Sequence, residues 1–128
     1  MNGITWIRIG AIFAAGAVAA GAFGAHALRE RLDARSLEIF ETAARYQMYH
    51  ALAIIAVGAI EAAAGARGSI RLAGWAFSLG IVIFSGSLYA LSVTGIKKLG
   101  MITPIGGLLF IVGWLALAAI AVPKSINT

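Results

Sequence analysis

Two histidines occur in the chain, His26 and His50, with five acids and no cysteine. The lack of cysteine removes disulfides, iron–sulfur ligation, thioether haem attachment and thiol catalysis. A metal site would need more ligands, and no cysteine, second-span carboxylate or HExxH pattern near the histidines supplies these. His50 stands one helical turn after Tyr46 with Gln47 alongside, so an imidazole, a phenol and a carboxamide share one neighbourhood. That set would serve as a proton relay or polar ligand site, or would simply bond between helices. Ser78, Ser85 and Ser92 recur every seven residues, and Tyr89 follows Ser85 by one turn. No GxSxG or serine–lysine spacing accompanies these serines, so no nucleophile is prepared. Glu61 is the one acid inside an apolar run. It lies about 16 Å along a helix from His50, too far to pair with it. Near Arg67 it reads as an interfacial carboxylate lying along the apolar surface, with a proton carrier as the alternative.

These residues need elements to hold them, and the composition says which. Of 128 residues, 61% are hydrophobic and 12% charged, and the mean hydropathy is +0.93. A soluble domain covers itself with charge at roughly a quarter of its residues, so lipid must solvate much of this surface. Four apolar stretches, about 7–28, 43–64, 72–94 and 104–122, are each long enough to cross a hydrocarbon core of about 30 Å. Backbone groups in hydrocarbon must pair within the segment, and no strand-like alternation is visible, so the stretches are helices. One membrane domain over 1–128 follows: an all-α, up-down-up-down bundle of four transmembrane helices. An N-terminal signal peptide, cut near Ala25-His26-Ala27, is the rival reading of the first span, which is longer than a usual signal core.

The segment Arg29 to Thr42 is the one long polar connection. Asp33 caps a helix beginning near Ala34, which runs into the second span and makes an interfacial extension before it. Thr103-Pro104 reads as the cap and first position of the fourth helix. The excess of ten Lys and Arg over five Asp and Glu sits at span ends, which suits headgroups and topology rather than nucleic acid. Arg29, Arg31, Arg35, Arg45, Lys97 and Lys98 flank the first and third connections, against Arg8, Arg67, Arg71 and Lys124 opposite. That balance puts the two connections inside and both termini outside. Trp6 and Trp75 fall at one interface, and Tyr46, Tyr49 and Tyr89 toward the other.

Up-down topology brings the end of the first span, the start of the second, the end of the third and the start of the fourth to one side. His26, Tyr46, Gln47, His50, Ser85, Tyr89 and Thr103 are therefore expected to form a polar cluster there, opening toward the long connection. Ala17, Gly21 and Ala25 make a small-residue stripe for close helix packing, or alternatively for a subunit interface. Gly86, Gly106 and Gly107 add small positions in the third and fourth spans.

Four motifs carry a resemblance: Gly21-Ala-Phe-Gly-Ala-His-Ala-Leu28, Thr42-Ala-Ala-Arg-Tyr-Gln-Met-Tyr-His-Ala-Leu52, Phe84-Ser-Gly-Ser-Leu-Tyr89 and Ile102-Thr-Pro-Ile-Gly-Gly107 with Gly113-Trp114. In this order they resemble the YgdD/YwdK family of small bacterial inner-membrane proteins, over nearly the whole chain. The resemblance implies four spans and the inner membrane, and supplies no activity, cofactor or catalytic residue. Glu61 and the turn after it depart from the family's motifs. With no nucleophile–base pair or metal set, the expected role is non-enzymatic. It is the binding of a lipid, small molecule or partner protein at the polar end, with a small proton-coupled or solute transporter as the alternative. Membrane lipids and further copies of the chain are the expected partners. Cysteines introduced at Arg35 and Lys97 are expected to label from the same side of the membrane; labelling from opposite sides would break the topology.

Overall fold

A computed structural model describes residues 2–121. The helix α1 (Gly3–Leu28) is followed by α2 (Ala34–Ala64) and α3 (Gly68–Thr94). A 3-10 turn (Lys97–Met101) then leads into α4 (Thr103–Ala121). All four are long and apolar enough to cross a membrane. Val122, the expected end of the last span, and Lys124, part of the charge balance, lie outside the described residues.

Local chemistry sets the boundaries. The Asn2 side chain accepts from the Thr5 amide at 3.0 Å, so α1 begins earlier than its apolar run. Asp33 caps α2 through the Ser36 amide at 2.7 Å, as its position predicts. With 31 residues, α2 is about 46 Å long and projects beyond a hydrocarbon core of about 30 Å. Gly95, at φ 71°, closes α3 by returning its N–H to the Leu91 carbonyl at 2.8 Å. This left-handed position favours glycine. Thr103 begins α4, but its hydroxyl reaches across to Ser87 rather than serving as the expected cap. Two spans also contain wide π-helical turns, Ala19–Gly24 in α1 and Ile81–Ser85 in α3, which apolar periodicity does not reveal.

The helices α2 and α3 form the inner pair, with α1 laid along α2 and α4 along α3. Lipid tails are as apolar as leucine, so association depends on close packing rather than on escape from water. Glycine supplies the closeness. Gly3 and Gly58 bring α1 and α2 together backbone to backbone, and a Cβ on Gly10 would lie 2.7 Å from the Ala51 carbonyl oxygen. Elsewhere glycines are notches for rings. Gly74 receives Trp6, Gly80 receives Phe110, and Gly113 receives Phe77. Trp6 is therefore wholly buried and stands edge-on to Trp75 at 5.7 Å, not in an interfacial belt. Trp6, Ile54, Val57, Ile70 and Phe77 fill the centre with no exposure.

The small-residue stripe needs revision. Ala17 and Ala25 are buried, but Gly21 is exposed, and an added Cβ there would come no nearer than 3.8 Å to Ala44. The working seam of α1 is Gly3, Gly10 and Ala17, spaced by seven. Gly86 likewise faces open space, with nothing within 4 Å of an added Cβ. By contrast, Gly106 lies against the Phe84 backbone, and Gly107 makes only ordinary contact with the Phe84 ring at 3.9 Å. Gly106→Ala must push two backbones apart and is expected to cost about 1–3 kcal/mol. Gly86→Ala should be neutral, or stabilising by up to about 1 kcal/mol through helix propensity. Reversible unfolding in mixed micelles measures both, and equal effects would refute this packing.

Candidate functional site

A belt of polar side chains crosses the bundle along two turns of α2 and the facing part of α3. Gln47 is its centre. The carboxamide nitrogen donates to the Phe13 carbonyl of α1 at 2.8 Å, and its oxygen accepts the Tyr89 hydroxyl of α3 at 2.8 Å. Gly16 leaves the room: an added Cβ there would sit 2.9 Å from the Gln47 nitrogen. Tyr89 is further held edge-on by Phe40, 5.0 Å away. Beside it, Ser85 donates to the Ala43 carbonyl at 2.7 Å, joining α3 to α2 again.

One turn along, His50 ties α2 to α4. Its Nδ1 lies 2.8 Å from the Tyr46 carbonyl oxygen, and its Nε2 lies 3.1 Å from the Trp114 indole nitrogen. A carbonyl only accepts and an indole N–H only donates, so the ring is assigned as neutral with its proton on Nδ1. Phe110 stacks on the imidazole at 3.5 Å and 6°. The Tyr46 side chain is not in this hydrogen-bonded set. Its ring stacks on Phe84 at 4.7 Å, while its backbone carbonyl receives His50. Thr103 bonds Ser87 at 2.5 Å, and Ser87 also reaches the Phe84 carbonyl at 2.9 Å.

Six of the seven expected residues therefore lie in or against this belt, as four separate connections rather than one cluster. His26 does not join them. It is exposed in the last turn of α1, on the side of the helix turned away from the buried Ala25. Sequence reasoning missed Trp114, Ser87 and the backbone carbonyls of Phe13 and Ala43. Trp114 and Ser87 stand in the quoted motifs, but no local spacing links Trp114 to a histidine 64 positions away.

Gln47, His50 and Ser85 are buried in the belt, while Tyr89 is half-buried and Trp114 is exposed. Three cavities at this end are lined by other residues, so they open beside the expected cluster rather than into it. The largest of these three is a groove of about 460 Å³ lined by Asp33, Arg35, Ser36, Ile39, Leu91, Gly95 and Lys97. It brings the first and third connections together at one end. The Ser36 backbone amide, followed by its hydroxyl, holds the Asp33 carboxyl below the usual carboxylate range. The cap is thus intact at neutral pH and is lost only as acid takes the pH through that lowered value. Arg35 and Lys97 are both exposed at the rim. Among the described residues no group of three His, Asp or Glu side chains could hold a metal ion.

The four-span bundle and its self-satisfied polar belt define a multi-pass membrane protein. Residues 20–107 match the family model described as Protein of unknown function (DUF423). The chain is 50% identical over 112 residues to a UPF0382 membrane protein of Staphylococcus saprophyticus, covering 88% of this chain and 92% of the relative. It is 46% identical over 117 residues to the UPF0382 membrane protein YwdK of Bacillus subtilis, covering 91% and 95%. A Staphylococcus aureus relative is 48% identical over 112 residues, covering 88% and 90%. No solved structure matches the chain. The chain belongs to this YwdK-like family of bacterial membrane proteins of unknown function.

Double-mutant cycles test the belt. Gln47→Leu with Tyr89→Phe, and His50→Leu with Trp114→Phe, should each show coupling of about 0.5–2 kcal/mol in unfolding. Ser78, which bonds only the Gly74 carbonyl of its own helix at 2.7 Å, should show none with either pair. Zero coupling in both cycles would remove the belt as a structural unit.

Proposed function

We propose that this protein is a non-enzymatic inner-membrane protein that binds an anionic lipid headgroup in the groove joining its first and third connections. The observation that carries this reading is the meeting of Arg35 and Lys97 with Ile39 and Leu91 around one groove of about 460 Å³. Cations at the rim suit a phosphate, and the apolar side chains suit the adjoining glycerol and acyl carbons. Asp33 is the one acid in the lining, and its carboxylate is already turned to the Ser36 amide. In this reading the first and third connections face the cytoplasm and the termini face outward, in keeping with the Lys and Arg balance.

Transport is less well supported. The fully buried Ile54, Val57 and Phe77 occupy the middle of the bundle, and the Gln47 and His50 hydrogen bonds are made within the protein.

Native mass spectrometry after reconstitution in phosphatidylcholine with phosphatidylglycerol tests binding and reports subunit number together. The wild type should retain the anionic lipid preferentially, and Arg35→Ala and Lys97→Ala should each reduce that preference about five-fold, taking about 1 kcal/mol per basic residue. An unchanged preference in the double variant would overturn the proposal.

A further inference from the structure

The opposite end of the bundle holds a different chemistry. Glu61 is not the interfacial carboxylate its sequence position implies. It is 6% exposed, and its Oε2 is buried with no hydrogen-bond partner. It lines a cavity of about 360 Å³ with Asn2, Gly3, Ile4, Ala62 and Ala66. The close contact of Gly3 with Gly58 is what lays the first turn of α1 beside this carboxylate.

The surroundings leave one need unmet. The Asn2 side-chain oxygen accepts from the amide and hydroxyl of Thr5, both at 3.0 Å, and its carboxamide nitrogen makes no bond to the orphaned carboxylate oxygen. Gly3, Ile4, Ala62 and Ala66 bring no charge. Arg67, the nearest cation along the sequence, is exposed and makes no bond to the orphaned oxygen. Glu61 also stands in the last turn of α2, whose terminal carbonyls carry partial negative charge. A buried carboxylate oxygen left unpaired is costly, and a donor bearing positive charge is the complement it lacks. A divalent metal would need six or more oxygen ligands, which this cavity does not offer. An ammonium group brings three N–H donors on a compact cation, and the alanine and isoleucine carbons suit methylenes attached to it.

We infer that this cavity binds a primary ammonium group carried on an apolar body, with Glu61 as its counter-ion. Two sources present that chemistry at the end of a span: the ethanolamine headgroup of a bilayer lipid, and a free alkylamine. The inference is independent of the anionic-lipid groove, which lies at the other end.

The test compares phosphatidylethanolamine with chain-matched phosphatidylcholine, whose quaternary nitrogen has no N–H. In native mass spectrometry the wild type should retain the ethanolamine lipid at least five-fold over the choline lipid, and Glu61→Gln should bring the ratio to about one. In choline-lipid micelles, octylammonium should raise the unfolding temperature of the wild type, whereas octyltrimethylammonium should not. A response to octylammonium without ethanolamine-lipid retention supports the site and assigns it a free amine. Equal responses to the primary and quaternary compounds in both formats would overturn it, as would a preference that survives Glu61→Gln. Arg67→Ala separates the rival of an internal ion pair: loss of stability matching that of Glu61→Gln, with no amine response in the wild type, also overturns the site. Glu61→Gln should leave phosphatidylglycerol retention unchanged, and Arg35→Ala with Lys97→Ala should leave the ammonium response unchanged, so the two readings fail separately.

Discussion

Inside a bilayer no water stands ready to complete a hydrogen bond, and that constraint governs this bundle. A polar side chain placed at depth finds its partner within the protein, in its own helix as Ser78 does or in a neighbouring one. Gln47 answers the constraint most economically, using one end of its carboxamide on α1 and the other on α3. A turn later His50 reaches α4 through Trp114. Two adjacent turns of α2 thus touch all three other helices. The hydrophobic effect cannot supply that organisation, because an apolar side chain gains little by leaving lipid for protein. Directional bonds set which helices meet, and glycine contacts such as Gly3 with Gly58 set how closely.

Much of this architecture is legible in the residues. Span lengths follow from apolar runs, Asp33 marks its cap, and alternating direction carries Gln47, Ser85, Tyr89 and Thr103 to one half of the bundle. What escapes is whatever depends on rotation about a helix axis. Ala17, Gly21 and Ala25 repeat every four residues, yet the face turned to α2 follows Gly3, Gly10 and Ala17. The π-helical turn at Ala19–Gly24 shifts the helical phase after Ala17, so Ala25 is buried while Gly21 and His26 are not. Long-range partners escape for a related reason. Nothing local couples His50 to Trp114 or Ser87 to Thr103 until the packing of α4 on α3 is known.

Glu61 shows the limit of reading a charge from its distance to a span end. Its position near Gly65 suggests access to headgroups, but access depends on what lies above the side chain. The first turn of α1 begins at Asn2, ahead of its apolar run, and borders the cavity beside the carboxylate. A cap on one helix thereby changes the environment of an acid on another.

The belt and the ends therefore divide the work, and the histidine geometry says why. A proton relay requires an imidazole that can exchange its protonated nitrogen. His50 faces the Trp114 N–H with one nitrogen and the Tyr46 carbonyl with the other. An added proton on Nε2 would point one N–H at another, and moving the proton from Nδ1 to Nε2 would in addition aim a lone pair at the Tyr46 carbonyl. Phe110 covers one face of the ring at 3.5 Å in this arrangement. A residue so matched in its neutral form is suited to hold helices rather than to pass protons. Unmet polar chemistry is then found at the two ends, where Arg35 and Lys97 rim one groove and Glu61 lines the other cavity.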